Sequence, residues 1–275
     1  CIVLVKDGCE EYTPQNLWNR ANISSDHYSV KKLGNHMVSM RDGVMLATEV
    51  WMPDTKEHNI RFPTIFIRTP YGKDRISESQ LRFVQRGYAL VVQDVRGREK
   101  SEGEFSSKGC EKWDGDDSLN WISNQSWCDG NIGMIGASYL GYVQWAAASS
   151  ENPHLKAIVS IVTAGSPFID LPRKGGTMAS GMLAWMFAMS KKEFHPEGME
   201  RDDWGDVVKI RPIKDIPIKI LGKSIPLWDD YMRHSAYDEF WEQMDWSVHG
   251  DKINVPSLIV SGWFDDNGQG SLEAW

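Results

Sequence analysis

The feature that most constrains this chain is a short apolar segment that breaks at glycine, presents one serine and continues as a helix. It runs over Asn131–Gly141 and is followed by the apolar stretch Tyr142–Ala148. This pattern predicts a strand, a tight turn and a helix, with Ser138 at the apex of the turn. A serine at such a turn has a strained backbone that requires small neighbours, and its hydroxyl projects from the edge of a sheet.

Small residues surround this serine. Gly136, Ala137 and Gly141 supply them, although Leu140 stands where the common Gly-x-Ser-x-Gly pattern has its second glycine. The N–H of Tyr139 would begin the helix, where unpaired amides and the helix dipole favour an anion. The turn therefore predicts a nucleophile with half of an oxyanion hole. The alternative is a Gly/Ser-rich strand-to-helix turn without chemistry, since short motifs give false positives.

Composition limits the class of protein. The chain has 275 residues, of which 41% are hydrophobic and 25% charged, as is typical of a globular protein with one large core. Its net charge of −8 argues against nucleic acid or an anionic membrane as the main partner. No apolar run approaches the roughly 20 residues of a membrane span. The four cysteines show neither metal-ligand spacing nor the density of a disulfide scaffold, so we expect no metal or cofactor and leave the compartment open.

Strand and helix patterns alternate from Thr64 to Thr163. Besides the Ser138 strand and helix, the predicted elements are a hairpin over 37–52 with its turn at 41–43, strands over 64–68, 88–95 and 157–163, and helices over 78–86 and 110–124. The alternation predicts right-handed crossovers and a doubly wound, mostly parallel sheet. Reactive groups in such sheets gather at the carboxyl ends of the strands, where both Tyr71 and Ser138 lie.

The alternation stops between about residues 165 and 250. Glycines and prolines separate two helical pieces, around Met178–Met189 and Asp229–Met244, which predicts a helical insertion that caps the site. Val255–Gly262 then returns to the sheet and delivers Asp265. We therefore divide the chain into an N-terminal arm (1–36), an α/β core (37–164 and 251–275) and a helical cap (165–250).

Acyl transfer by a serine also needs a base and a carboxylate that orients the base. In sheets of this type the carboxylate follows a later strand, as Asp265 does, and the histidine follows the carboxylate. All seven histidines precede Asp265. His195, His234 and His249 could serve only by a departure from this order. We therefore expect Ser138 as nucleophile, Asp265 as its carboxylate, and a chain that stops before its base.

The chain resembles the serine hydrolases grouped with cocaine esterase, α-amino-acid ester hydrolase, glutaryl-cephalosporanic-acid acylase and the Xaa-Pro dipeptidyl-peptidases. The matching stretches, in family order, are 40–44, 68–71, 93–97, 101–103, 127–133, 136–141 and 262–265. The displaced glycine after Ser138 is the family's own form of the turn. The resemblance implies an α/β-hydrolase fold, the Tyr71 phenol as a second oxyanion donor beside the Tyr139 N–H, and a later histidine followed by a jelly-roll domain, both absent from this chain.

Together these features predict a metal-free serine hydrolase that cleaves small ester or amide substrates through an acyl-enzyme at Ser138. The candidates for the acyl pocket are Trp145, Phe168, Trp185 and Trp263. Arg173 and Lys174 place positive charge where relatives that bind an α-amino group hold carboxylates. This favours an acyl esterase or amidase over a dipeptidyl-peptidase or an α-amino-acid ester hydrolase. The alternative of another class is an inactive binding domain with the same fold.

Overall fold

A computed structural model describes residues 2–5, 27–57, 59–106 and 110–275 of the chain. The strands are β1 (Ile2–Val5), β2 (Ser29–Ser39), β3 (Met45–Asp54), β4 (Phe62–Thr69), β5 (Ala89–Asp94), β6 (Cys128–Ala137), β7 (Leu155–Ile161), β8 (Arg173–Lys174), β9 (Thr177–Met178) and β10 (Ser257–Ser261). The α-helices are α1 (Glu78–Gln85), α2 (Cys110–Ser123), α3 (Tyr139–Ala148), α4 (Ser180–Ala188), α5 (Trp204–Val207), α6 (Ile216–Leu221), α7 (Pro226–Arg233), α8 (Glu239–Glu242) and α9 (Gly268–Ala274).

Eight of these strands form one sheet in the order β1-β10-β7-β6-β4-β5-β3-β2. The five strands from β10 to β5 run parallel, whereas β1 pairs antiparallel at one edge and β3 and β2 at the other. Parallel strands carry helices on both faces, which explains why all six residues of β5 are buried. The doubly wound, mostly parallel sheet that the sequence predicts is therefore confirmed.

Alternate residues of the central strands lie on opposite faces of the sheet. Phe66 and Val91 pack into an apolar cluster with α2 and α3, whereas Ile67, Leu90 and Val92 pack with α1 on the other side. Successive side chains of a strand point to opposite faces, so each continuous apolar run supplies both cores.

The hairpin that begins the α/β core forms as expected. β2 pairs antiparallel with β3 around a turn in which Gly43 has a φ of 84°. β2 begins at Ser29, inside the segment expected to be an arm, and Ile2–Val5 of that segment is an edge strand beside β10. Residues 6–26 of the expected arm lie outside the described residues.

Residues 165–250 contain five α-helices, α4 to α8, the ribbon β8–β9 and two short 3₁₀ helices (Pro196–Gly198 and Ile213–Asp215), and a third 3₁₀ helix (Trp246–Lys252) crosses the boundary at residue 250. Their apolar side chains form a separate core that includes Leu183, Phe187, Trp228 and Trp241. The helix predicted around Asp229–Met244 is instead two helices, α7 and α8. The break comes before Asp238, whose side chain accepts the N–H of Phe240 and so begins α8.

Cys110, the first residue of α2, and Cys128, the first residue of β6, are not joined by a disulfide. In the part of the chain that the structure covers, no helix is long and apolar enough to cross a bilayer.

Candidate active site

Ser138 lies between β6 and α3 with a φ of 56° and a ψ of −120°. Its N–H is held by the carbonyl oxygen of Ile161 on the next strand, 2.9 Å away. This backbone conformation is rare for a residue with a side chain and is the strained turn that the sequence predicts. Such outliers cluster at functional sites, because the surrounding structure must hold them in place.

Specific steric contacts explain why small residues surround Ser138. A Cβ on Gly136 would lie 2.4 Å from the Cβ of Leu140. A Cβ on Gly141 would lie 2.1 Å from the Oγ1 of Thr163. Gly141 therefore allows α3 to pack closely against the segment after β7. Leu140 can occupy the position before it without a steric clash.

Ser138 lines a cavity of about 570 Å³ between the α/β core and residues 165–250. We call this space the Ser138 cavity. Tyr71, Tyr139 and Trp185 also line it, so the structure brings together four of the residues predicted for the site. Much of the remaining wall is apolar and includes Phe105, Tyr142, Met182, Leu227, Tyr231 and Met244. A predominantly apolar cleft with a few polar groups is typical of a small-molecule site.

The hydroxyl of Tyr71 is one of those polar groups. Its oxygen accepts a hydrogen bond from Nε1 of Trp185 at 3.1 Å, and its ring packs edge-on against Phe194 at 4.9 Å between centroids. The Tyr71 N–H donates to Oγ1 of Thr69, which shapes the loop after β4. Burial raises the pKa of Tyr71 above its usual value of 10, so the phenol keeps its proton at neutral pH.

Tyr139 offers its backbone and its side chain in different directions. Its N–H opens α3 and so has no acceptor within the helix. Its phenol donates to Oε1 of Glu111 at 2.7 Å, and Oε2 of Glu111 accepts from Arg68 at 2.5 Å. Burial, and then the charge of Glu111, raise the pKa of Tyr139 well above 10.

Glu111 is a wall residue of the Ser138 cavity that the sequence does not single out. It lies in the first turn of α2, where an acidic residue is explained by the helix dipole alone. Its partner Arg68, near the carboxyl end of the central strand β4, is fully buried. The only sequence signal for this contact is a buried arginine at the end of an apolar strand, which implies an acidic partner without identifying it.

Asp265 lies in the loop after β10 and is half-buried. Its Oδ1 accepts the N–H of Asn267 at 2.8 Å, and the side-chain amide of Asn267 donates to the carbonyl oxygen of Val162. Asp266 and Asn267 line the Ser138 cavity, whereas Asp265 itself does not. The carboxyl end of β10 is thus beside the cavity, as the chain order predicts.

None of the histidines in the described ranges lines the Ser138 cavity. His195 contacts Ser190, His234 stacks on Phe240 and bonds Asp238, and His154 contacts the carbonyl oxygen of Gly130.

Three of the four aromatic residues predicted for the acyl pocket lie elsewhere. Trp145 is a core residue that stacks on Trp246 at 5.0 Å and donates to Oγ of Ser160. Phe168 packs edge-on against Trp241 in the apolar core of residues 165–250. The side chain of Trp263 is 80% exposed and is not among the cavity walls. Trp185 alone of the four faces the cavity, because α4 presents it there while burying Leu183 and Phe187 behind it.

Charged groups at the cavity are mostly paired. Lys174 bonds the buried carboxylate of Asp170 at 2.9 Å and the carbonyl oxygen of Asp266, so its charge is partly neutralised. Arg96 is held between Asp42 and Asp114. Within the described ranges, no group of three or more His, Cys, Asp or Glu side chains is arranged to hold a metal ion.

Comparison with known proteins fixes the family. The sequence model of the X-Pro dipeptidyl-peptidase family, S15, matches residues 42–275. This chain belongs to the S15 family. Cocaine esterase from Rhodococcus sp. (strain MB1 Bresler) is 35% identical to this S15 chain over 267 residues, which cover 87% of the chain and 44% of the esterase. A putative Xaa-Pro dipeptidyl-peptidase from Bacillus anthracis is 23% identical over 212 residues, 72% of the chain and 33% of that protein.

Solved structures show the same fold as this S15 chain. An α-amino acid ester hydrolase superposes with a TM-score of 0.72 at 23% identity, over 96% of the chain and 49% of the hydrolase. A CocE/NonD family hydrolase from Staphylococcus aureus superposes with a TM-score of 0.65 at 25% identity, over 89% of the chain and 43% of that structure. The chain has the α/β-hydrolase fold, and it spans less than half the length of each of these relatives.

Proposed function

We propose that the protein is a serine hydrolase that cleaves small ester or amide substrates through an acyl-enzyme on Ser138. The observation that carries the proposal is the strained turn at Ser138, with a φ of 56°, at the wall of a cavity that also holds the Tyr71 hydroxyl. Membership of the S15 family and the similarity to cocaine esterase support it.

In the proposed reaction, Oγ of Ser138 attacks the substrate carbonyl carbon and its proton passes to a general base. The carbonyl oxygen becomes an oxyanion, which the Tyr139 N–H and the Tyr71 O–H stabilise. The base returns the proton to the leaving alcohol or amine, and water then releases the acyl group by the same path. Asp265 is proposed to orient the base. No described histidine lines the Ser138 cavity, so none of the described residues is assigned as the general base.

Residues 165–250 are proposed to act as a cap that shapes the acyl side of the substrate site. Met182 and Trp185 of α4, Leu227 and Tyr231 of α7, and Met244 supply apolar wall from this segment. A bulky apolar acyl group would bury surface there. Trp145, Phe168 and Trp263 are not retained in this role.

The test is Ser138→Ala in the full-length gene product, assayed with an aryl ester and with a fluorophosphonate probe. We expect hydrolysis to fall by at least about a thousandfold and labelling of Ser138 to disappear. Ser123→Ala, at the C-terminal end of α2, is the matched control and should retain both. Unchanged hydrolysis in Ser138→Ala would refute the nucleophile, and a natural protein that neither hydrolyses nor labels would favour a binding domain without activity.

A dipeptidyl-peptidase is the second candidate, and two observations favour it. The family match is one. The other is Glu104, an exposed wall residue with no hydrogen-bond or ion-pair partner among the described residues. A carboxylate of this kind could receive a substrate ammonium. Faster cleavage of Xaa-Pro anilides than of simple aryl esters would support this candidate, and the reverse order would support the esterase or amidase.

A further inference from the structure

Trp185 contacts both residues that supply the proposed oxyanion donors. Its Nε1 lies 3.1 Å from the hydroxyl oxygen of Tyr71, and its ring stacks on that of Tyr139 with centroids 6.1 Å apart and planes inclined by 21°. Tyr71 and Tyr139 belong to the core, whereas Trp185 belongs to α4 of the cap segment. One side chain of this segment therefore touches both residues that carry the proposed donors, the Tyr71 residue at its hydroxyl and the Tyr139 residue at its ring.

The direction of the Trp185–Tyr71 hydrogen bond is fixed by chemistry. An indole N–H can only donate, so the phenol oxygen of Tyr71 must accept in this contact. The single proton of that phenol is then left for another acceptor. Among the residues that the structure describes, none accepts it. Because Tyr71 lines the Ser138 cavity, the unused donor is available to a group bound there.

The loop that carries Tyr71 and the end of the helix that carries Trp185 are held together by one buried side chain. Arg98 is 1% exposed, and its Nε donates to the carbonyl oxygen of Pro70, directly before Tyr71. Its Nη1 donates to the carbonyl oxygens of Met189 and Lys191, just after α4. One buried guanidinium thus ties the Tyr71 loop to the end of the helix that carries Trp185.

We propose that Trp185 is a positioning residue that turns the Tyr71 hydroxyl proton towards the oxyanion formed at Ser138. This rests on the proposed function. A fixed donor stabilises the transition state because no reorganisation is needed when the charge develops. Without the indole N–H, the hydroxyl could rotate and the oxyanion would lose part of this stabilisation.

The test is a double-mutant cycle in the full-length gene product with Trp185→Phe and Tyr71→Phe, measured as kcat and KM for an aryl ester. Trp185→Phe removes the donor and keeps an aromatic, though smaller, wall, and the comparison with the Tyr71→Phe background separates loss of the donor from loss of volume. Loss of one oxyanion donor lowers kcat by about 100- to 1,000-fold, so we expect that loss for Tyr71→Phe and about a tenfold loss for Trp185→Phe, with little change in KM. In the Tyr71→Phe background, Trp185→Phe should have little further effect on kcat.

Trp204→Phe is the matched control. Its Nε1 donates to the carbonyl oxygen of Met199 within the cap and its ring packs on Phe187, so the same substitution perturbs the cap away from the Ser138 cavity. We expect unchanged kcat. A Trp185→Phe effect that is equally large without the Tyr71 hydroxyl, or that falls on KM alone, would overturn the positioning role. An inactive natural protein, or an active Ser138→Ala, would instead overturn the proposed function.

Discussion

Two glycines beside Ser138 show how single atoms decide whether the turn can form. Gly136 and Gly141 each meet a neighbour that a Cβ would overlap, at 2.4 and 2.1 Å. Neither has the positive φ that would itself favour glycine. The requirement is therefore close packing, and Ser138 bears the backbone strain instead.

Gly141→Ala is expected to destabilise the protein by about 1 to 3 kcal/mol, the usual cost of overpacking a close contact. The clashing atom is the Oγ1 of Thr163, so Thr163→Ala should recover part of the loss in the double variant. Thermal and denaturant unfolding measure the effect. Gly181→Ala in α4 is the matched control, because a Cβ there meets nothing within 4 Å. It should be neutral or stabilise by at most about 1 kcal/mol. Equal effects of the two substitutions would contradict the packing argument.

The loops at the carboxyl ends of β4 and β5 are joined through one buried carboxylate. Asp94 is 1% exposed, and its two oxygens accept the N–H groups of Lys73 and Lys100 at 2.5 and 3.3 Å. Lys73 follows Tyr71 by two residues, so Asp94 supports the loop that carries the proposed oxyanion donor. Burial raises the pKa of Asp94 to about 6.

This pKa predicts a pH dependence of stability. Since 3.8 is the ordinary value, the folded state binds more protons than the unfolded state between about pH 4 and 6. The contribution of Asp94 to the free energy of unfolding therefore falls as the pH rises through this window. Relative to Asp94→Asn, the natural protein should lose on the order of 2 to 3 kcal/mol between pH 4 and 7. Denaturant unfolding at each pH gives the difference, and a constant or rising difference would contradict the assignment.

The sequence predicts the strands and helices from 64 to 163 to within a few residues. Continuous apolar runs, glycine turns and the 3.6-residue period act locally there, and β5 and α1 illustrate this. The break between α7 and α8 is not predicted, because apolar residues occur in both helices. The local sign of the break is Asp238, whose side chain begins α8 by accepting the N–H of Phe240.

The contacts of the site residues are harder to predict than the elements that carry them. Ser138 is signalled by its own neighbours, whereas the pairing of Glu111 with Arg68 joins residues 43 positions apart. Trp145 and Trp185 both sit on apolar helices, α3 and α4, whose mean composition does not show which face meets the sheet. Only the packing in the folded protein distinguishes Trp145, a core residue, from Trp185, a cavity residue.

Across the whole molecule, the α/β core and residues 165–250, the proposed cap, meet at a few buried polar contacts beside the Ser138 cavity. Arg98 bonds carbonyl oxygens on both sides, and the neighbouring Glu99 accepts the N–H of Phe194 from the cap at 2.8 Å. The guanidinium lies at the carbonyl end of α4, where the helix dipole favours positive charge. The cap is thus fastened at the end of the helix that presents Trp185.

Arg98→Met should loosen the cap without unfolding the core, because it keeps the apolar stem and leaves three carbonyl oxygens without their donor. Hydrogen bonds from a buried charged group contribute about 1.5 to 3 kcal/mol each, so amide exchange over residues 180–192 should accelerate at least about tenfold. Exchange in β4 to β7 should stay unchanged in the same mass-spectrometric experiment. Arg201→Met is the control, because Arg201 pairs with Asp203 on the cap surface and should alter neither region. Equal acceleration in cap and core would mean that Arg98 stabilises the fold as one unit, and unchanged exchange over 180–192 would mean that other contacts hold the cap.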